Sequence, residues 1–374
     1  MKLKNFIIGH KVISAVIAAF LVVIISASAI FGGAIIRSIN KINFVQKIPA
    51  YTTVPTNSSE TAESGKSETD ETTSAHGKKK KKSGEEMPDD ITEVEINSSV
   101  IHNLDNNKIW HSDDVINILL AGIDYGSKKY PYGRSDSMII LSVNKIAKEV
   151  NIVSLSRAAY SVIPGYASTR LSHAHGYGDY PLMLQAIEIN NCVDIDNFVS
   201  VGFDDFKKAI DILGGCKIEI TSKEAQALNN ALKRNNVENV GAGTYQLNGD
   251  LALEYARLRK IDTDWNRTER QRKVILSLIN SAKNMSMNQL YDGLDSVLSC
   301  VTTDLTRSEI VEYIYASLSQ YKNWPINQYI IPHISTPLTV VDEFEVLKLD
   351  KAAELEFLHN ALYKDVPDEN ITLS

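Results

Sequence analysis

The sequence predicts an α/β fold, because strand-like and helix-like segments alternate along most of the chain. The run VINILLAGI at residues 115–123 is typical of a strand buried on both faces, and residues 137–143 and 150–156 have strand-like composition. Further along, strand candidates at 197–201 and 216–220 flank the amphipathic helix pattern DDFKKAIDILGG. The hydrophobic fraction of 44% and the charged fraction of 23% are those of an ordinary globular protein.

Boundary signals separate these elements. The polar turn NKIAKE between the second and third strands predicts a hairpin. Gly214 and Gly215 are a stop signal for the amphipathic helix. Asn248 is the expected N-cap of a helix with the sequence NGDLALEYARLR, and another helix runs from Arg267 onward. The tyrosine-rich residues 311–321 predict an amphipathic packing helix, with a carbohydrate platform as the alternative.

The N-terminal region contains a candidate membrane anchor. Residues 12–36 carry no charge and are long enough to cross a bilayer as a helix. A cleaved signal peptide is the alternative, but the apolar run is longer than the core of a typical signal peptide. Three basic residues precede the span and three follow it, so the positive-inside count is a tie. The usual behaviour of signal anchors predicts a cytoplasmic N-terminus, residues 1–11, and a C-terminal domain outside the cell membrane.

A polar segment connects the predicted span to the domain. Residues 37–95 form the predicted disordered extracellular linker, and its central part, residues 51–90, is rich in Ser, Thr, Glu and Lys. The lysines at 78–82 predict a solvated stretch, with contact to anionic wall polymer or lipid as the alternative. The extracellular domain is predicted over residues 96–374.

Charge, cysteine and histidine patterns limit the function classes. A net charge of −7 argues against general nucleic-acid binding, which needs an overall basic surface. Cys192, Cys216 and Cys300 show no CxxC spacing and are expected to be buried free thiols, with one disulfide as the alternative. His173 and His175 have HxH spacing, but residues i and i+2 of a helix do not face each other. We therefore expect loop histidines rather than a zinc site.

Charged residues gather at one edge of the predicted sheet. If the first two strands form an antiparallel hairpin, Asp124 lies beside Arg134 and Asp136. The second hairpin returns the third strand to the same edge, where it ends at Arg157. Two carboxylates and two guanidinium groups then lie close together at this edge of an apolar sheet. A salt-bridged loop cluster is the structural alternative to a functional site.

The stretch RLRKIDTDWNRTERQRKV, residues 257–274, concentrates seven basic and three acidic residues in an acidic protein. On the predicted helix, Arg267 and Gln271 fall inside the apolar sector, whereas Arg270 and Arg272 lie at its margins. Buried polar groups need partners, and the fork of arginine suits phosphate oxygens. Several arginines with a few aspartates are what a pyrophosphate and a divalent cation require.

Taken together, these motifs resemble the LytR-CpsA-Psr family of cell-envelope phosphotransferases. The resemblance covers roughly residues 113–283, through INILLAGID, GRSDSMIILSVN, VNIVSLSR, SVIPG, IDNFVSVGFDDFKKAIDILGG, GTYQLNGDLALEYARLRK and DTDWNRTERQRKVI. It implies a three-layer α/β/α domain with a central mixed sheet, preceded by one transmembrane helix and a tether. It also implies transfer of a glycan polymer phosphate from a polyprenyl-pyrophosphate carrier to peptidoglycan, with Mg²⁺ or Mn²⁺.

The resemblance assigns roles to individual residues. Asp124 and Asp136 resemble the metal-linked acids, and Asp264 would act as a general base or orient an arginine. The expected catalytic set is Asp124, Asp136, Arg157, Asp264 and Arg267. The expected substrate-binding set is Arg134, Arg170, Arg257, Arg259, Arg267 and Gln271, with Arg157 in the same pyrophosphate cluster.

Two positions depart from the family pattern. The family has Asp directly after the arginine that Arg157 matches, and here that residue is Ala158. Alanine neither orients a guanidinium nor binds a metal, so either activity is weakened or another acid compensates. Arg170 stands where the family carries Lys, which keeps the charge but changes its geometry.

The sequence therefore predicts a membrane-anchored phosphotransferase that attaches teichoic acid, capsule or another glycan to peptidoglycan. Two alternatives stay open: a polyprenyl-pyrophosphate hydrolase, and a non-catalytic polyprenyl-phosphate-binding protein of wall assembly. Transcriptional regulation has no support, because the chain shows no helix-turn-helix pattern and its domain is acidic.

Overall fold

A computed structural model describes residues 42–48, 104–124, 126–232, 240–258, 261, 264–284, 299–321, 324–334 and 336–374. The predicted membrane span, residues 12–36, and the lysine run at 78–82 lie outside the described residues. Among the helices in the described ranges, none combines the length and the apolar composition that a membrane crossing needs.

A seven-stranded mixed sheet forms the centre of the molecule. In sheet order its strands are β1 (Asn43–Phe44), β11 (Thr302–Thr303), β8 (Asn197–Gly202), β3 (Val115–Ile123), β4 (Ser135–Asn144), β5 (Glu149–Leu155) and β12 (Ile326–Ile331). The β3–β4 and β4–β5 pairs are antiparallel, whereas β3–β8 and β5–β12 are parallel. The two predicted hairpins and the α/β class are confirmed.

Smaller two-stranded sheets surround the central one. They pair β2 (Trp110–His111) with β15 (Thr372–Leu373), β6 (Tyr160–Ser161) with β7 (Thr169–Arg170), β9 (Cys216–Ile220) with β10 (Gly243–Leu247), and β13 (Leu338–Val341) with β14 (Phe344–Leu347). The predicted strand CKIEI therefore exists as β9, but within the described residues it pairs with β10 rather than joining the central sheet.

Seven α-helices occur in the described part of the chain. They are α1 (His173–Asn191), α2 (Phe203–Ile212), α3 (Ser222–Leu232), α4 (Gly249–Arg257), α5 (Asp264–Asn284), α6 (Arg307–Ser319) and α7 (Lys351–Leu362). The Asn248 side chain accepts a 3.0 Å hydrogen bond from Leu251 N, which confirms the predicted N-cap of α4. Gly214 and Gly215 follow α2 with φ of +80° and +88°, as the stop signal predicts. The cysteines are buried free thiols, as expected.

Helices pack against both faces of the central sheet. Val153 and Leu155 of β5 belong to an apolar core that includes Leu184 of α1 and Leu358 of α7. Ser154 lies between them in β5 and so points to the opposite face. There its Oγ accepts a 3.1 Å hydrogen bond from Arg272 Nη1, which attaches α5 to that second face.

The two faces of β3 differ in how completely they are covered. Val115, Leu119 and Ile123 on one face are buried in the apolar core. Ile116, Ile118 and Leu120 on the other face are half-buried. Strand β3 therefore has one sealed apolar face and one partly open apolar face.

The sheet extends into the segment predicted as linker. Asn43 N and Val45 N donate hydrogen bonds of 3.0 and 2.9 Å to Val301 O and Thr303 O. The side chain of Ile42 is buried beside them. The predicted linker, residues 37–95, thus contains one strand of the central sheet. A two-residue strand has no periodic pattern, which explains why the sequence did not reveal it.

Candidate active site

The predicted cluster lies where β3 and β5 end and β4 begins. Ile123 pairs with Ser135, and Ile139 of β4 pairs with Ser154 of β5, so the three strands share this edge. The loop between β3 and β4 turns through Gly133, whose φ is +80°. A Cβ at Gly133 would lie 2.2 Å from Asp124 O, so glycine is required for the loop to return close to β3.

Each aspartate at this edge is bound to an arginine. Arg134 donates from Nε and Nη2 to Asp124 Oδ2 at 3.1 and 2.8 Å. Arg157 donates from Nη1 to Asp136 Oδ1. The side chain of Arg157 is only 5% exposed, whereas that of Arg134 is 32% exposed. The four predicted residues are brought together as two ion pairs, one buried and one at the mouth; their catalytic roles stay predictions.

Arg157 takes its carboxylate partner from Asp136 on the neighbouring strand and not from residue 158. Ala158 is buried, and its carbonyl oxygen accepts a 2.8 Å hydrogen bond from Leu347 N of β14. The β13–β14 hairpin therefore covers residue 158, the position next to Arg157. Because Arg157 is bound to Asp136 from the neighbouring strand, the guanidinium is oriented without an acid at residue 158.

A neutral histidine lies among the cations of this edge. His173 is 1% exposed, with Nδ1 3.1 Å from Thr169 Oγ1 and Nε2 3.3 Å from Tyr130 OH. Its burial, and then the charges of Arg170, Arg134, Arg157 and Lys129, lower the pKa of His173 to about 4. The imidazole is uncharged near neutral pH, so the arginines and Lys129 carry the positive charge here.

The prediction that His173 and His175 are loop residues was wrong. Both are buried in the first turn of α1. His175 Nδ1 lies 3.0 Å from Gly133 O, and its Nε2 lies 3.3 Å from Asp179 Oδ1. Burial lowers the pKa of His175. Helix α1 includes both histidines and is kinked beyond them, at Gly178 and Asp179.

Arg170 and Arg257 lie at the periphery of the edge. Arg170 on β7 donates from Nε to Glu345 O at 2.7 Å, and its Cζ lies 5.6 Å from the ring centroid of Phe344. Arg257 at the end of α4 lies 4.7 Å above the ring of Phe203, the residue that follows β8. It also pairs with Glu254 at 3.5 Å. Arg257 therefore reaches the same end of the sheet as Asp124, through β8.

The other predicted residues belong to the α4–α5 region. Arg259 and the side chain of Asp264 lie outside the described residues. Arg267 is buried near the start of α5, at 3% exposure, and Gln271 is half-buried one turn later. The inward position of Arg267 is as predicted.

The predicted marginal positions of Arg270 and Arg272 were wrong, since each is 2% exposed. Arg270 Nη2 donates to Leu258 O at 2.7 Å, and its Nη1 lies 3.6 Å from Glu224 Oε1. Arg272 bonds Ser154 of the sheet. Because α5 packs against α4, β9 and the central sheet, its buried sector is wider than its apolar stripe. We interpret both arginines as structural.

Asp124 and Asp136 fit a divalent cation in ligand chemistry. Mg²⁺ prefers oxygen ligands and usually takes one or two carboxylates together with substrate phosphates. The two aspartates follow or begin neighbouring strands, and their side chains are 11% and 17% exposed. They therefore offer hard oxygen donors beside the two arginines at this edge of the sheet.

The sequence of this chain matches the LytR_cpsA_psr family over residues 61–358. The chain belongs to this family. Curated relatives include a polyisoprenyl-teichoic acid–peptidoglycan teichoic acid transferase TagU from Oceanobacillus iheyensis, 32% identical over 213 residues, covering 54% of this chain and 63% of the relative. TagT of Bacillus subtilis is 32% identical over 185 residues, covering 48% and 57%. The chain thus spans about three-fifths of the length of these relatives.

Solved structures of this family share the fold. TagT bound to LIIa-WTA superimposes with a TM-score of 0.55 at 23% identity, covering 72% of this chain and 96% of that one. TagT with bound octaprenyl pyrophosphate lipid gives a TM-score of 0.51 at 23% identity, covering 71% and 95%. At this identity the likeness shows the fold: a central mixed sheet with packed helices.

Three further residues at this edge, Lys129, Tyr130 and Phe344, were not predicted from the sequence. Lys129 Nζ lies 5.7 Å from the ring centroid of Tyr130 and 4.7 Å from that of Phe344. The lysines just before GRSD were a local signal for added positive charge. The position of Phe344 depends on a distant hairpin and had no such signal.

Proposed function

We propose that this protein transfers a glycan polymer phosphate, such as teichoic acid, from a polyprenyl-pyrophosphate carrier to peptidoglycan. The proposal rests mainly on two ion pairs at one edge of the sheet, Arg157–Asp136 and Arg134–Asp124. The relatives TagU and TagT, named as teichoic acid transferases, support the same reaction class.

The chemistry assigned to this edge is charge neutralisation and positioning. A guanidinium has five N–H donors, so Arg134 has more than it gives to Asp124 and can also bind phosphate oxygens. In the proposed step, a peptidoglycan hydroxyl attacks the phosphorus joined to the glycan. The bond between that phosphorus and the bridging oxygen breaks, and polyprenyl phosphate leaves with the electron pair. Arg134 and Arg157 would stabilise the charge that develops on the phosphate oxygens.

The proton and the cation have proposed residues as well. The hydroxyl proton passes to a carboxylate, and Asp264 keeps its two proposed roles of proton acceptor or partner of an arginine. Mg²⁺ or Mn²⁺, held by Asp124 and Asp136, would supply further neutralisation of the phosphates. Arg267 and Gln271 are proposed to complete the pyrophosphate site, with Arg170, Arg257 and Arg259 at its periphery.

The partly open face of β3 supports a lipid carrier. Ile116, Ile118 and Leu120 are apolar and half-buried, and this face runs along the strand that ends at Asp124. A prenyl chain on this face would cover apolar surface that the sheet leaves partly exposed, at a gain of roughly 25 cal/mol per Å².

The direction of β1 supports a membrane anchor close to the site. Asn43 lies level with Ser200 and Ala121, and Phe44 lies level with Val199 and Leu120. The chain therefore enters β1 from the active edge and runs away from it. From a span ending at residue 36, the connection to Ile42 reaches at most about 20 Å. We propose a single-pass protein of the cell membrane, with a cytoplasmic N-terminus and the active edge outside, near the bilayer.

A transfer assay tests this proposal. Full-length protein in vesicles receives a glycan-bearing polyprenyl pyrophosphate, Mg²⁺ and peptidoglycan, and both attached glycan and free phosphate are measured. We expect transfer, and a loss of about 100-fold or more in Arg157→Ala, since a buried donor to the transition-state charge is removed. Undiminished transfer by a folded Arg157→Ala variant would refute the proposed site.

The same assay separates the alternatives. Phosphate release that does not need a glycan acceptor would indicate a hydrolase. Tight lipid binding with no turnover in Mg²⁺ would indicate a non-catalytic binder.

A further inference from the structure

A row of rings leads from the proposed phosphate site to the protein surface. Tyr130 stacks on His173 with centroids 4.8 Å apart, and Tyr177 lies 5.5 Å from Tyr130. Tyr166, in the loop between β6 and β7, stacks on Tyr177 at 4.7 Å with an interplanar angle of 13°. We call His173, Tyr130, Tyr177 and Tyr166 the aromatic row.

The row is buried at one end and exposed at the other. Tyr130 is 8% exposed, whereas Tyr166 is 51% exposed. One ring face of Tyr166 packs on Tyr177, and its hydroxyl donates to Tyr177 O at 3.3 Å. The ring is thus fixed in orientation while half of its surface is accessible. A fixed tyrosine ring gives a large contact area at a small cost in conformational entropy.

Cations accompany the buried part of the row. Lys129 Nζ and Arg134 Cζ each lie 5.7 Å from the Tyr130 ring centroid. Arg170 lies over Phe344, whose ring is 4.8 Å from that of His173. The row therefore starts at the arginines proposed to bind pyrophosphate, and positive charge lines its first part. A polyanion complements this charge better than a neutral partner does.

We propose that the exposed end of the aromatic row, Tyr166, binds a sugar ring of the donor glycan next to the pyrophosphate. The inference rests on the proposed function and adds a glycan subsite to it. A pyranose ring presents C–H groups on one face and hydroxyls at its rim. A half-exposed tyrosine can pack its apolar ring face against the C–H groups, while the sugar hydroxyls stay in contact with water. A prenyl tail needs a closed apolar wall instead, and the phosphates of an anionic glycan match Lys129 and Arg170.

Binding measurements on full-length protein in detergent test the subsite. The probes are a short-chain prenyl pyrophosphate carrying a disaccharide and the same prenyl pyrophosphate without sugar. In Tyr166→Ala we expect the affinity for the first probe to fall about three- to tenfold and that for the second to stay unchanged. Tyr166→Phe keeps the ring and should bind both probes as the wild type does. Val162→Ala, in the same loop and 41% exposed, is the matched control and should change neither affinity.

Three outcomes would overturn the subsite, and they are distinguishable. If Tyr166→Ala weakens both probes equally, the ring supports the loop rather than a sugar. If Tyr166→Ala changes neither affinity but raises KM for peptidoglycan in the transfer assay, the Tyr166 ring binds the acceptor and not the donor glycan. If wild-type protein binds neither probe, the pyrophosphate site itself is refuted, and the subsite falls with it.

Discussion

The two edges of the central sheet both hold carboxylates, but they neutralise them in different ways. At the active edge, Asp124 and Asp136 are bound by Arg134 and Arg157. At the opposite edge, where β3 and β8 begin, His111 Nδ1 lies 2.8 Å from Asp194 Oδ2. Beside them Asp196 Oδ2 accepts a 2.7 Å hydrogen bond from Asn117 N.

The two edges respond differently to pH because arginines neutralise the carboxylates at one edge and a histidine does so at the other. Burial, reinforced by the charge of Asp194, raises the pKa of Asp196 to about 6, against the hydrogen bond from Asn117 N. Burial opposes a charged His111, but the hydrogen bond and charge of Asp194 outweigh it and raise the pKa of His111. Arginine stays charged at any physiological pH, whereas histidine titrates. The active edge thus keeps its cations at every working pH, and the opposite edge is the pH-sensitive one.

The largest expected effect comes from breaking a pair at the active edge. In Asp136→Asn, Arg157 loses its oriented carboxylate partner, and Ala158 offers no replacement. We expect kcat for glycan transfer to fall about 100-fold, or roughly 3 kcal/mol. Asp113→Asn, at the opposite edge and fully exposed, is the matched control and should leave transfer within about twofold. Equal transfer rates for Asp136→Asn and Asp113→Asn would show that the two edges do not differ in their importance for glycan transfer.

Removing the charge of the half-buried Asp196 at the opposite edge should stabilise the fold. Because the folded pKa of Asp196 lies above its ordinary value, the wild type loses stability as pH rises from about 4 to 6. Asp196→Asn keeps an acceptor for Asn117 N without the charge. We expect it to raise the free energy of unfolding by about 1–3 kcal/mol at pH 8 and to change nothing below pH 4, measured by urea denaturation.

A destabilised Asp196→Asn at pH 8 would mean that the ionised carboxylate helps to hold this edge. Its transfer rate, compared at equal folded fraction, should match that of the wild type because the site lies at the other end of β3.

A smaller effect is expected at His111. Its pKa is raised in the folded state, so its stabilising pair with Asp194 is complete below about pH 6.5 and is lost as pH rises through the folded pKa. His111 is more than one-third exposed, so solvent screening limits the effect. His111→Gln should lose less than about 1 kcal/mol at pH 5.5 and nothing at pH 9, again by urea denaturation. An equal loss at both pH values would show that the ring acts by packing rather than by charge.

The active edge was predictable from the sequence because its causes are local. Apolar runs predicted three strands, and a short polar turn predicted the hairpin of the second and third. If the first two strands also pair in antiparallel fashion, hairpin geometry brings Asp124, Arg134, Asp136 and Arg157 to one edge. The partner of Arg157 was not predictable to the same degree. Ala158 suggested a damaged site, and only the structure shows that Arg157 is bound to Asp136.

Non-local packing accounts for what the sequence did not reveal. Arg270 and Arg272 are buried because separate elements cover two sides of α5, which a single helical stripe cannot indicate. The surroundings of His173 depend on Tyr130 and Phe344, which lie far from it in the chain. The strand at Asn43–Phe44 is visible only through its hydrogen bonds with β11.

The most direct test of the central claim is a crystal structure of the protein with a bound prenyl pyrophosphate. We expect pyrophosphate density where β3 and β5 end, with phosphate oxygens within hydrogen-bond distance of Arg134 and Arg157. We expect the prenyl chain to lie along Ile118 and Leu120. Pyrophosphate bound away from this edge, with the Arg157–Asp136 and Arg134–Asp124 pairs out of its reach, would contradict it.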